Sequence, residues 1–296
     1  MNHYVYILEC SDHSYYTGYT NNLQKRIDTH NNGKGAKYTK ARRPVKLIYF
    51  EHFNDKSSAL KREYAIKGLT RKRKEELIMK GKAMKYILFD LDGTLTDSRE
   101  GITKSVQYAL DKMGIHEPEL KPLERFIGPP LYDEFRRSYG FDDAQAKQAI
   151  AFYRERFGVV GWKENMLYNG IPELLKALTD AGKTLSTASS KPAFFIDKIV
   201  KYFNIDQYFT VVSGATLDGT IGTKAQVTQQ ALDRLRVQDL SQAVLVGDRL
   251  HDVEGAKQCG IDCIGVTFGF GDREELEDAG AKHVVDRVEE LLPLLL

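Results

Sequence analysis

The sequence has few of the features that stabilise secreted or membrane proteins. Its 296 residues include 3 cysteines (Cys10, Cys259 and Cys263), too few and too scattered for a disulfide framework or a zinc site. No apolar run is long enough to cross a bilayer, and the first residues lack the basic and apolar blocks of a signal peptide. The composition, 42% hydrophobic and 28% charged, is that of an ordinary globular protein. We therefore expect a cytoplasmic protein without a membrane partner.

Charge is distributed unevenly along the chain. Residues 1–83 hold 18 Lys and Arg against 8 Asp and Glu, whereas the remaining residues hold 25 against 33. A basic segment suits a polyanion, and an acidic segment with clustered aspartates suits a divalent cation. The asymmetry predicts two domains with different partners, over residues 1–80 and 85–296, joined by a linker over residues 81–84. A charged helix that includes Arg71–Ile78 is expected to stop at Gly81.

The pattern of secondary structure also differs between the two parts. The first part predicts a small α+β domain with strands Tyr4–Glu9, Tyr15–Gly18 and Val45–Phe50 and helices Asn21–His30, capped by Asn21, and Ser58–Gly68. The second part alternates strands and helices: Tyr86–Phe89, Ile171–Ala181, Thr184–Ala188, Ala243–Val246 and Val253–Gln258. Such alternation is typical of an α/β fold with a doubly wound parallel sheet. Residues 98–168 lack strand signals and carry apolar residues at helical spacing, which predicts a helical cap inserted in that fold.

Two aspartates follow the first strand of the second part directly. Because side chains alternate along an extended chain, Asp90 and Asp92 point to one side and Leu91 points to the other. In open α/β sheets, ligands bind beyond such strand ends. Two close carboxylates repel each other and suit a divalent cation, while one can attack phosphorus and the other can transfer protons. The pattern predicts a magnesium-dependent phosphate-ester hydrolase, with a turn of two solvated acids as the alternative.

Polar residues at later strand ends favour the catalytic interpretation. Ser189-Ser190-Lys191 follows strand Thr184–Ala188 and can hydrogen-bond a phosphoryl oxygen. Asp248 follows strand Ala243–Val246, with Asp252 four residues further on, and both offer carboxylates to a metal. Lys224 lies in a polar stretch between them and can neutralise the nucleophile and the phosphate. The combination predicts one site at the carboxyl edge of the sheet.

With these motifs in order, residues 85–296 resemble the haloacid dehalogenase superfamily, in its phosphoglycolate-phosphatase-like branch with a helical cap. The resemblance implies a Rossmann-like doubly wound sheet and an aspartyl-phosphate formed on Asp90. Asp92 would act first as general acid and then as general base. Asparagine is frequent among relatives where this chain has Ser190, so the phosphate pocket can differ here.

The same resemblance assigns the remaining roles. Mg²⁺ would be bound by Asp90, Asp248 and the main-chain carbonyl of Asp92, with Asp252 supporting these ligands. The residues expected to hold the phosphate or substrate are Ser189, Lys224, Ser190, Gly93 and Thr94.

The substrate would be a small phosphorylated metabolite, with a phosphoglycolate-like and a 5′-nucleotidase-like activity both open. The loop Phe126–Leu131 in the cap would close over it, or is an ordinary turn between helices. Three cap arginines could bind a substrate carboxylate or second phosphate, or could equally lie at the surface: Arg125, Arg136 and Arg137.

The first domain carries a second set of candidate residues. Tyr6 and Tyr16 lie on adjacent predicted strands, Arg26 and His30 lie four apart on one helix face, and Glu63 lies on a later helix. Glutamate can hold a hard cation, arginine can balance phosphate charge, and tyrosine or histidine can handle the proton of an attacking water. The structural alternatives are Tyr6 in the strand core, His30 as a surface histidine and Glu63 as the partner of Lys67.

Together these residues resemble the GIY-YIG nuclease family, in its small single-domain bacterial branch, over residues 2–80. Tyr4 stands where the family name has glycine. The resemblance implies that Tyr6, Tyr16, Arg26, His30 and Glu63 are catalytic, with Glu63 as the metal ligand. The basic charge predicts weak, salt-sensitive nucleic-acid binding, and no additional DNA-binding module is recognisable in the sequence. An active endonuclease and a DNA- or RNA-binding tether therefore both stay open.

Overall fold

The computed structural model describes residues 3–53, 55–82 and 84–296. The chain divides into two compact units, Met1–Ala83 and Met84–Leu296, which we call the first and second units. Within the described ranges, no helix combines the length and the apolar character that crossing a membrane requires.

The first unit contains a three-stranded antiparallel sheet with β1 in the centre, in the order β2-β1-β3. Its elements are β1 (His3–Glu9), β2 (Tyr15–Thr20), α1 (Leu23–Asn31), α2 (Lys37–Lys40), β3 (Lys46–Phe53), α3 (Lys56–Lys67) and α4 (Arg71–Lys82). Strand β1 is buried on both faces, because Val5 and Ile7 pack with Ala59 and Ile66 of α3 on one side, whereas Tyr6 faces the other side. The central strand is therefore fully buried at Val5, Tyr6, Ile7 and Leu8.

Two local predictions in the first unit were wrong, and one short helix was not predicted. The side chain of Asn22, and not that of Asn21, caps α1 by accepting a hydrogen bond from the Lys25 N–H group. Helix α4 continues through Gly81 to Lys82, so Gly81 does not end it. One glycine inside a helix costs only about 1 kcal/mol, which a helix tolerates. Helix α2 was not predicted because four residues are too few to show a helical repeat.

The second unit contains a six-stranded sheet whose neighbouring strands are all parallel, in the order β13-β12-β11-β4-β7-β9. The elements of this core are β4 (Tyr86–Phe89), α8 (Ile171–Asp180), β7 (Thr184–Thr187), β8 (Ser189–Pro192), α9 (Ala193–Tyr202), β9 (Phe209–Val211), β10 (Gly214–Ala215), α10 (Lys224–Arg234), β11 (Ala243–Gly247), α11 (Leu250–Gln258), β12 (Asp262–Val266), α12 (Arg273–Ala279), β13 (His283–Val285) and α13 (Leu291–Leu295). Separate buried apolar clusters cover the two faces of the sheet. The predicted α/β class with a doubly wound parallel sheet is confirmed.

A helical cap is inserted after β4. The chain leaves the core at β5 (Thr96–Asp97) and returns at β6 (Met166–Leu167), and these two short strands pair with each other. Between them lie α5 (Arg99–Lys112), α6 (Leu131–Tyr139), α7 (Asp143–Phe157) and the short 3₁₀ helices Lys121–Phe126 and Gly161–Lys163. The cap has its own aromatic core, which includes Phe126, Phe135 and Phe157. Both connections to the core therefore lie side by side at the β5-β6 pair.

Three adjacent parallel strands bring the predicted site residues to one edge of the sheet. In the register of the sheet, Phe89 at the end of β4 pairs with Val246 of β11 and with Thr187 of β7. The polar residues that follow these strands therefore lie next to one another.

Helix α5 packs closely on the backbone near Gly161. The Gly101 N–H group donates to the Glu164 carbonyl at 3.0 Å, and a Cβ atom on Gly101 would lie 2.0 Å from the Gly161 carbonyl oxygen. We predict that Gly101→Ala lowers the free energy of unfolding of the second unit by about 1–3 kcal/mol through overpacking. Urea unfolding followed by fluorescence of Trp162, the single tryptophan, measures the change.

Gly222→Ala is the matched control, because its Cβ atom would lie 3.9 Å from the nearest atom, the Gly219 carbonyl oxygen. This variant should unfold at nearly the wild-type urea concentration. Equal midpoints for the two variants would contradict the tight packing of α5.

Candidate active site

The two aspartates after β4 are buried at the carboxyl edge of the sheet. Asp90 and Asp92 are 4% and 7% exposed, and Leu91 packs into the core on one face of the sheet. The backbone then turns at Gly93, whose φ of +89° lies in the left-handed region. A Cβ atom on Gly93 would lie 2.0 Å from Oδ2 of Asp248. Glycine here therefore allows both the turn and the close approach of Asp248.

Lys224 lies between two of the buried carboxylates. Its Nζ atom lies 2.7 Å from Oδ1 of Asp90 and 2.7 Å from Oδ1 of Asp252, and it donates to the Ala188 carbonyl at 3.1 Å. Burial alone would lower the pKa of Lys224, but attraction to Asp252 and Asp90 outweighs this effect and raises it. Lys224 therefore stays positively charged beside the carboxylate of Asp90.

The first turn of α10 fixes the position of Lys224. Thr223 caps the helix by accepting a hydrogen bond from the Gln226 N–H group, and the Gln226 side chain accepts in return from the Thr223 N–H group. A reciprocal cap of this kind defines where a helix begins. Lys224 is thus the first helical residue.

Asp248 is held by groups on two sides. Its carboxylate accepts hydrogen bonds from the Phe270 N–H group at 2.8 Å and from the Thr94 hydroxyl at 3.4 Å. A Cβ atom on Gly269 would lie 2.5 Å from Oδ2 of Asp248, so this loop reaches the carboxylate only because it contains glycine. The sequence analysis did not identify this loop, although its alternation of phenylalanine and glycine after β12 is a visible signal.

Asp90, Asp248 and Asp252 form a buried acidic cluster in which carboxylate oxygens lie within 4.8 Å of one another. Burial raises the pKa of Asp90 and that of Asp248, and repulsion from Asp252 adds to both shifts. In the described part of the chain, the cations in contact with this cluster and Asp92 are Lys224 and Lys191. If all four carboxylates were ionised, they would carry two more negative charges than Lys224 and Lys191 neutralise, and a divalent cation with oxygen ligands fits that excess.

Lys191 forms a buried ion pair with Asp92. Its Nζ atom donates to both oxygens of Asp92, at 2.8 and 2.7 Å, and lies 4.8 Å from the ring centroid of Phe157 in the cap. The sequence placed Lys191 at the right strand end but did not identify Asp92 as its partner. A strand-end position does not reveal which of two neighbouring carboxylates a long side chain reaches.

A cavity of about 90 Å³ opens beside Asp90 and Asp92. Ser189, Ser190 and Lys191 line it from the core, and the cap contributes residues of α7 and of the loop Phe126–Leu131. This loop, which was expected to cover the substrate, therefore forms part of the cavity wall. Gly93 and Thr94 were expected to contact substrate, but they lie against Asp248 and not in the lining of the cavity.

The three cap arginines are engaged within the cap. Arg125 donates to the Tyr139 hydroxyl at 3.0 Å, Arg137 pairs with the buried Glu134, and Arg136 lies over the ring of Tyr132. None of them lines the cavity, so of the two alternatives the structure favours a role outside it. The arginine that lines the cavity is Arg154 of α7, which the sequence analysis did not single out.

The first unit brings four of its five candidate residues together. Arg26 donates to the Tyr6 hydroxyl at 3.2 Å, which lies 2.9 Å from Nε2 of the buried His30. The ring centroid of Tyr16 lies 5.1 Å from that of His30. Glu63 contacts Lys67 at 2.9 Å, and its charge contributes to a rise in the pKa of Tyr6 that burial mainly causes, to about 12.

The hydrogen bonds define the tautomer of His30. The Thr39 hydroxyl donates to the Ala36 carbonyl at 3.0 Å, so it accepts from Nδ1 of His30, 2.7 Å away. Nε2 then carries the lone pair and accepts from the Tyr6 hydroxyl. Burial, together with repulsion from Arg26, lowers the pKa of His30 to about 4, which agrees with a neutral ring.

This buried histidine predicts acid sensitivity of the first unit. Its folded pKa of about 4 lies below the unfolded value of 6.5, so the unfolded chain binds more protons between these values. Stability is complete above about pH 6.5 and falls as the pH is lowered towards 4, by about 2–3 kcal/mol in total. Hydrogen exchange of β1 peptides in graded urea, corrected for intrinsic exchange rates, measures the change.

The control compares two histidine substitutions in the first unit. His30→Asn should flatten the pH dependence, whereas His13→Gln, at a side chain 82% exposed, should leave it unchanged. A wild-type first unit that is equally stable at pH 7 and pH 4.5 would contradict the role of His30.

Comparison with known proteins identifies both units. Residues 87–266 match the haloacid dehalogenase-like hydrolase family. A 5′-nucleotidase of Pseudomonas aeruginosa is 50% identical over 207 residues, which cover 69% of this chain and 93% of that protein. The crystal structure of a predicted phosphatase from Clostridium acetobutylicum superposes with a TM-score of 0.70 at 45% identity, covering 72% of this chain and 98% of that one.

The first unit has relatives of its own. Residues 2–76 match the GIY-YIG catalytic domain, and a UPF0213 protein of Clostridium perfringens is 65% identical over 75 residues, which cover 25% of this chain and 81% of that protein. The chain therefore belongs to the haloacid dehalogenase-like hydrolase family, as an enzyme of its phosphatase class that also carries an N-terminal GIY-YIG domain.

Proposed function

We propose that the second unit is a Mg²⁺-dependent phosphomonoester hydrolase that works through an aspartyl-phosphate on Asp90. The observation that carries this proposal is the ion pair between the buried Asp90 and Lys224, together with Asp92, which lines the same cavity as Asp90. One carboxylate is thus next to a fixed positive charge, and the other faces the same space. This is the arrangement that nucleophilic attack on phosphorus with separate proton transfer requires.

The reaction divides into two displacements at phosphorus. An oxygen of Asp90 forms a bond to phosphorus while the bond to the leaving oxygen breaks, and Asp92 gives that oxygen a proton. Asp92 then takes a proton from a water molecule that attacks the aspartyl-phosphate, and the bond between Asp90 and phosphorus breaks to release phosphate. Lys224 stays charged throughout and stabilises negative charge on the phosphoryl oxygens.

The acidic cluster would hold the metal in this proposal. Asp90, Asp248 and the main-chain carbonyl of Asp92 are the proposed ligands, and Asp252 supports them through its contact with Lys224. Mg²⁺ bound there would supply positive charge that offsets these carboxylates and the phosphoryl oxygens.

The proposed substrate is a small phosphorylated metabolite. A cavity of about 90 Å³, partly walled by the cap, favours a compact ester. The similarity to a 5′-nucleotidase keeps nucleoside monophosphates as a second substrate class. A panel of phosphoglycolate, nucleoside monophosphates, pyrophosphate and sugar phosphates, with and without Mg²⁺, discriminates between them. The proposed location is the cytoplasm, where free thiols such as those of Cys10, Cys259 and Cys263 persist.

Replacement of the nucleophile tests the catalytic proposal. We expect Mg²⁺-dependent release of phosphate from the best substrate of the panel, and a fall in kcat of at least about a thousandfold in Asp90→Asn. Asp180→Asn, which affects an exposed aspartate paired with Lys176, is the control and should retain full activity. Phosphate release by Asp90→Asn at the wild-type rate would refute the proposal.

We propose a second activity, phosphodiester hydrolysis by the first unit. The supporting observation is the chain of hydrogen bonds from Arg26 to the Tyr6 hydroxyl and from that hydroxyl to Nε2 of a neutral His30. Arg26 can balance phosphate charge, and Glu63 is the proposed metal ligand. The alternative is that this basic unit binds nucleic acid without cutting it.

A plasmid-nicking assay distinguishes phosphodiester hydrolysis from nucleic-acid binding without cutting. At low salt with Mg²⁺, the wild-type chain should nick supercoiled plasmid, and Glu63→Ala should abolish nicking while Glu76→Ala, at an exposed position of α4, should not. Binding without nicking would leave the tether as the function of the unit. Failure to bind any nucleic acid at low salt would exclude both.

A further inference from the structure

Tyr153 of α7 lies in the wall that the cap contributes to the active-site cavity. It is 6% exposed and lines the cavity together with Arg154 and Phe157. In the described part of the chain, no group forms a hydrogen bond with the Tyr153 hydroxyl. Buried hydroxyl groups nearly always have such a partner. The proposed mechanism gives no task to this residue, so its hydroxyl requires a separate explanation.

Packing explains the ring of Tyr153 but not its hydroxyl. The ring stacks on that of Phe157, with centroids 5.1 Å apart and planes at 14° to each other. A phenylalanine would make the same stack without burying an unpaired polar group. Burial mainly raises the pKa of Tyr153, and the negative charge of Asp92 adds to the rise, so the hydroxyl lies near Asp92. Because Asp92 serves the ester oxygen in the proposed mechanism, a group that pairs with Tyr153 would lie close to the ester bond.

Most of the cap wall is apolar, with side chains that include Ile102, Phe126, Leu131 and Phe157. The two cations among the described residues that line the cavity already have partners. Lys191 pairs with Asp92. Arg154 donates to the Leu217 carbonyl at 3.0 Å. A charge on the leaving part of a substrate would therefore be buried against apolar side chains, which is unfavourable. The cavity suits an uncharged leaving part.

We propose that Tyr153 determines substrate specificity by donating a hydrogen bond to an uncharged acceptor oxygen near the ester bond, on an otherwise apolar leaving part. The inference rests on the proposed phosphatase function and names a substrate class for the same cavity. A substrate without this oxygen would displace solvent and leave the Tyr153 hydroxyl buried and unpaired, so the site discriminates against it. The ring oxygen of a nucleoside or sugar phosphate is an acceptor of this kind.

Matched analogues test this preference in the wild-type chain. 3-Methoxypropylphosphonate and pentylphosphonate have the same length, cannot be hydrolysed as esters, and differ in one ether oxygen that accepts a hydrogen bond but cannot donate one. We expect the inhibition constant of the ether to be at least about threefold lower. The corresponding esters, 2-methoxyethyl phosphate and butyl phosphate, should differ in the same direction in KM. Equal inhibition constants, or tighter binding of pentylphosphonate, would overturn the inference.

Removal of the hydroxyl tests the assignment to this residue. Tyr153→Phe keeps the ring that stacks on Phe157 and should bring the two inhibition constants close together, by weakening the binding of the ether alone. Tyr108→Phe is the matched control, because the hydroxyl of this cap tyrosine contacts Glu155 at 2.8 Å and Tyr108 does not line the cavity. This variant should keep the wild-type ratio. An unchanged ratio in Tyr153→Phe, or equal weakening of both analogues, would refute a contact between the hydroxyl and the substrate.

Failure of this inference is distinguishable from failure of the phosphatase proposal. If the two phosphonates inhibit the wild-type chain equally and Asp90→Asn hydrolyses neither ester, the phosphatase proposal stands and Tyr153 does not select the substrate. If Asp90→Asn retains activity, the phosphatase proposal itself fails. The wild-type comparison holds even if Tyr153→Phe does not fold.

Discussion

Repulsion among carboxylates buried at one edge of the sheet is the constraint on which the rest of the second unit depends. Carboxylate oxygens of Asp90, Asp248 and Asp252 lie within 4.8 Å of one another, and Asp92 is two residues from Asp90. Such a cluster is unstable without compensating charge, and Lys224 provides part of it from the capped first turn of α10. The remaining charge fits a divalent cation. The close packing of these carboxylates also requires glycine at positions 93 and 269, because side chains there would displace the carboxylate of Asp248.

That these residues lie together was predictable from the sequence, because a parallel sheet places the ends of neighbouring strands side by side. Asp90 and Asp248 each follow an apolar strand, Ser189 comes shortly after β7, and β4, β7 and β11 are neighbours in the sheet. The helical cap was also predictable, since apolar residues at helical spacing replace strand signals between β5 and β6. Side-chain direction was not predictable at this level. Lys191 reaches Asp92, and Thr94 turns towards Asp248, because of local geometry that no spacing in the sequence records.

Prediction from the sequence was limited in a similar way for the first unit. The sequence located Tyr6, Tyr16, Arg26 and His30, and the fold brings them into one network. The sequence did not reveal that the Thr39 hydroxyl fixes the tautomer of His30 by accepting a hydrogen bond from Nδ1. Thr39 lies in α2, and that helix is too short to be recognised from the sequence. The structural alternative for His30 was a surface histidine. The structure instead has His30 buried and neutral beside Tyr6.

The central claim is that the phosphoryl group passes through a covalent bond to Asp90. The most direct measurement stops the reaction with acid during the first turnover, reduces any acyl phosphate with borohydride, and locates the modified residue by peptide mass spectrometry. The account predicts that Asp90, and no other carboxylate, is converted to homoserine, and that substrate is required for the conversion. Reduction at a different aspartate, or full turnover without any reducible intermediate, would contradict it.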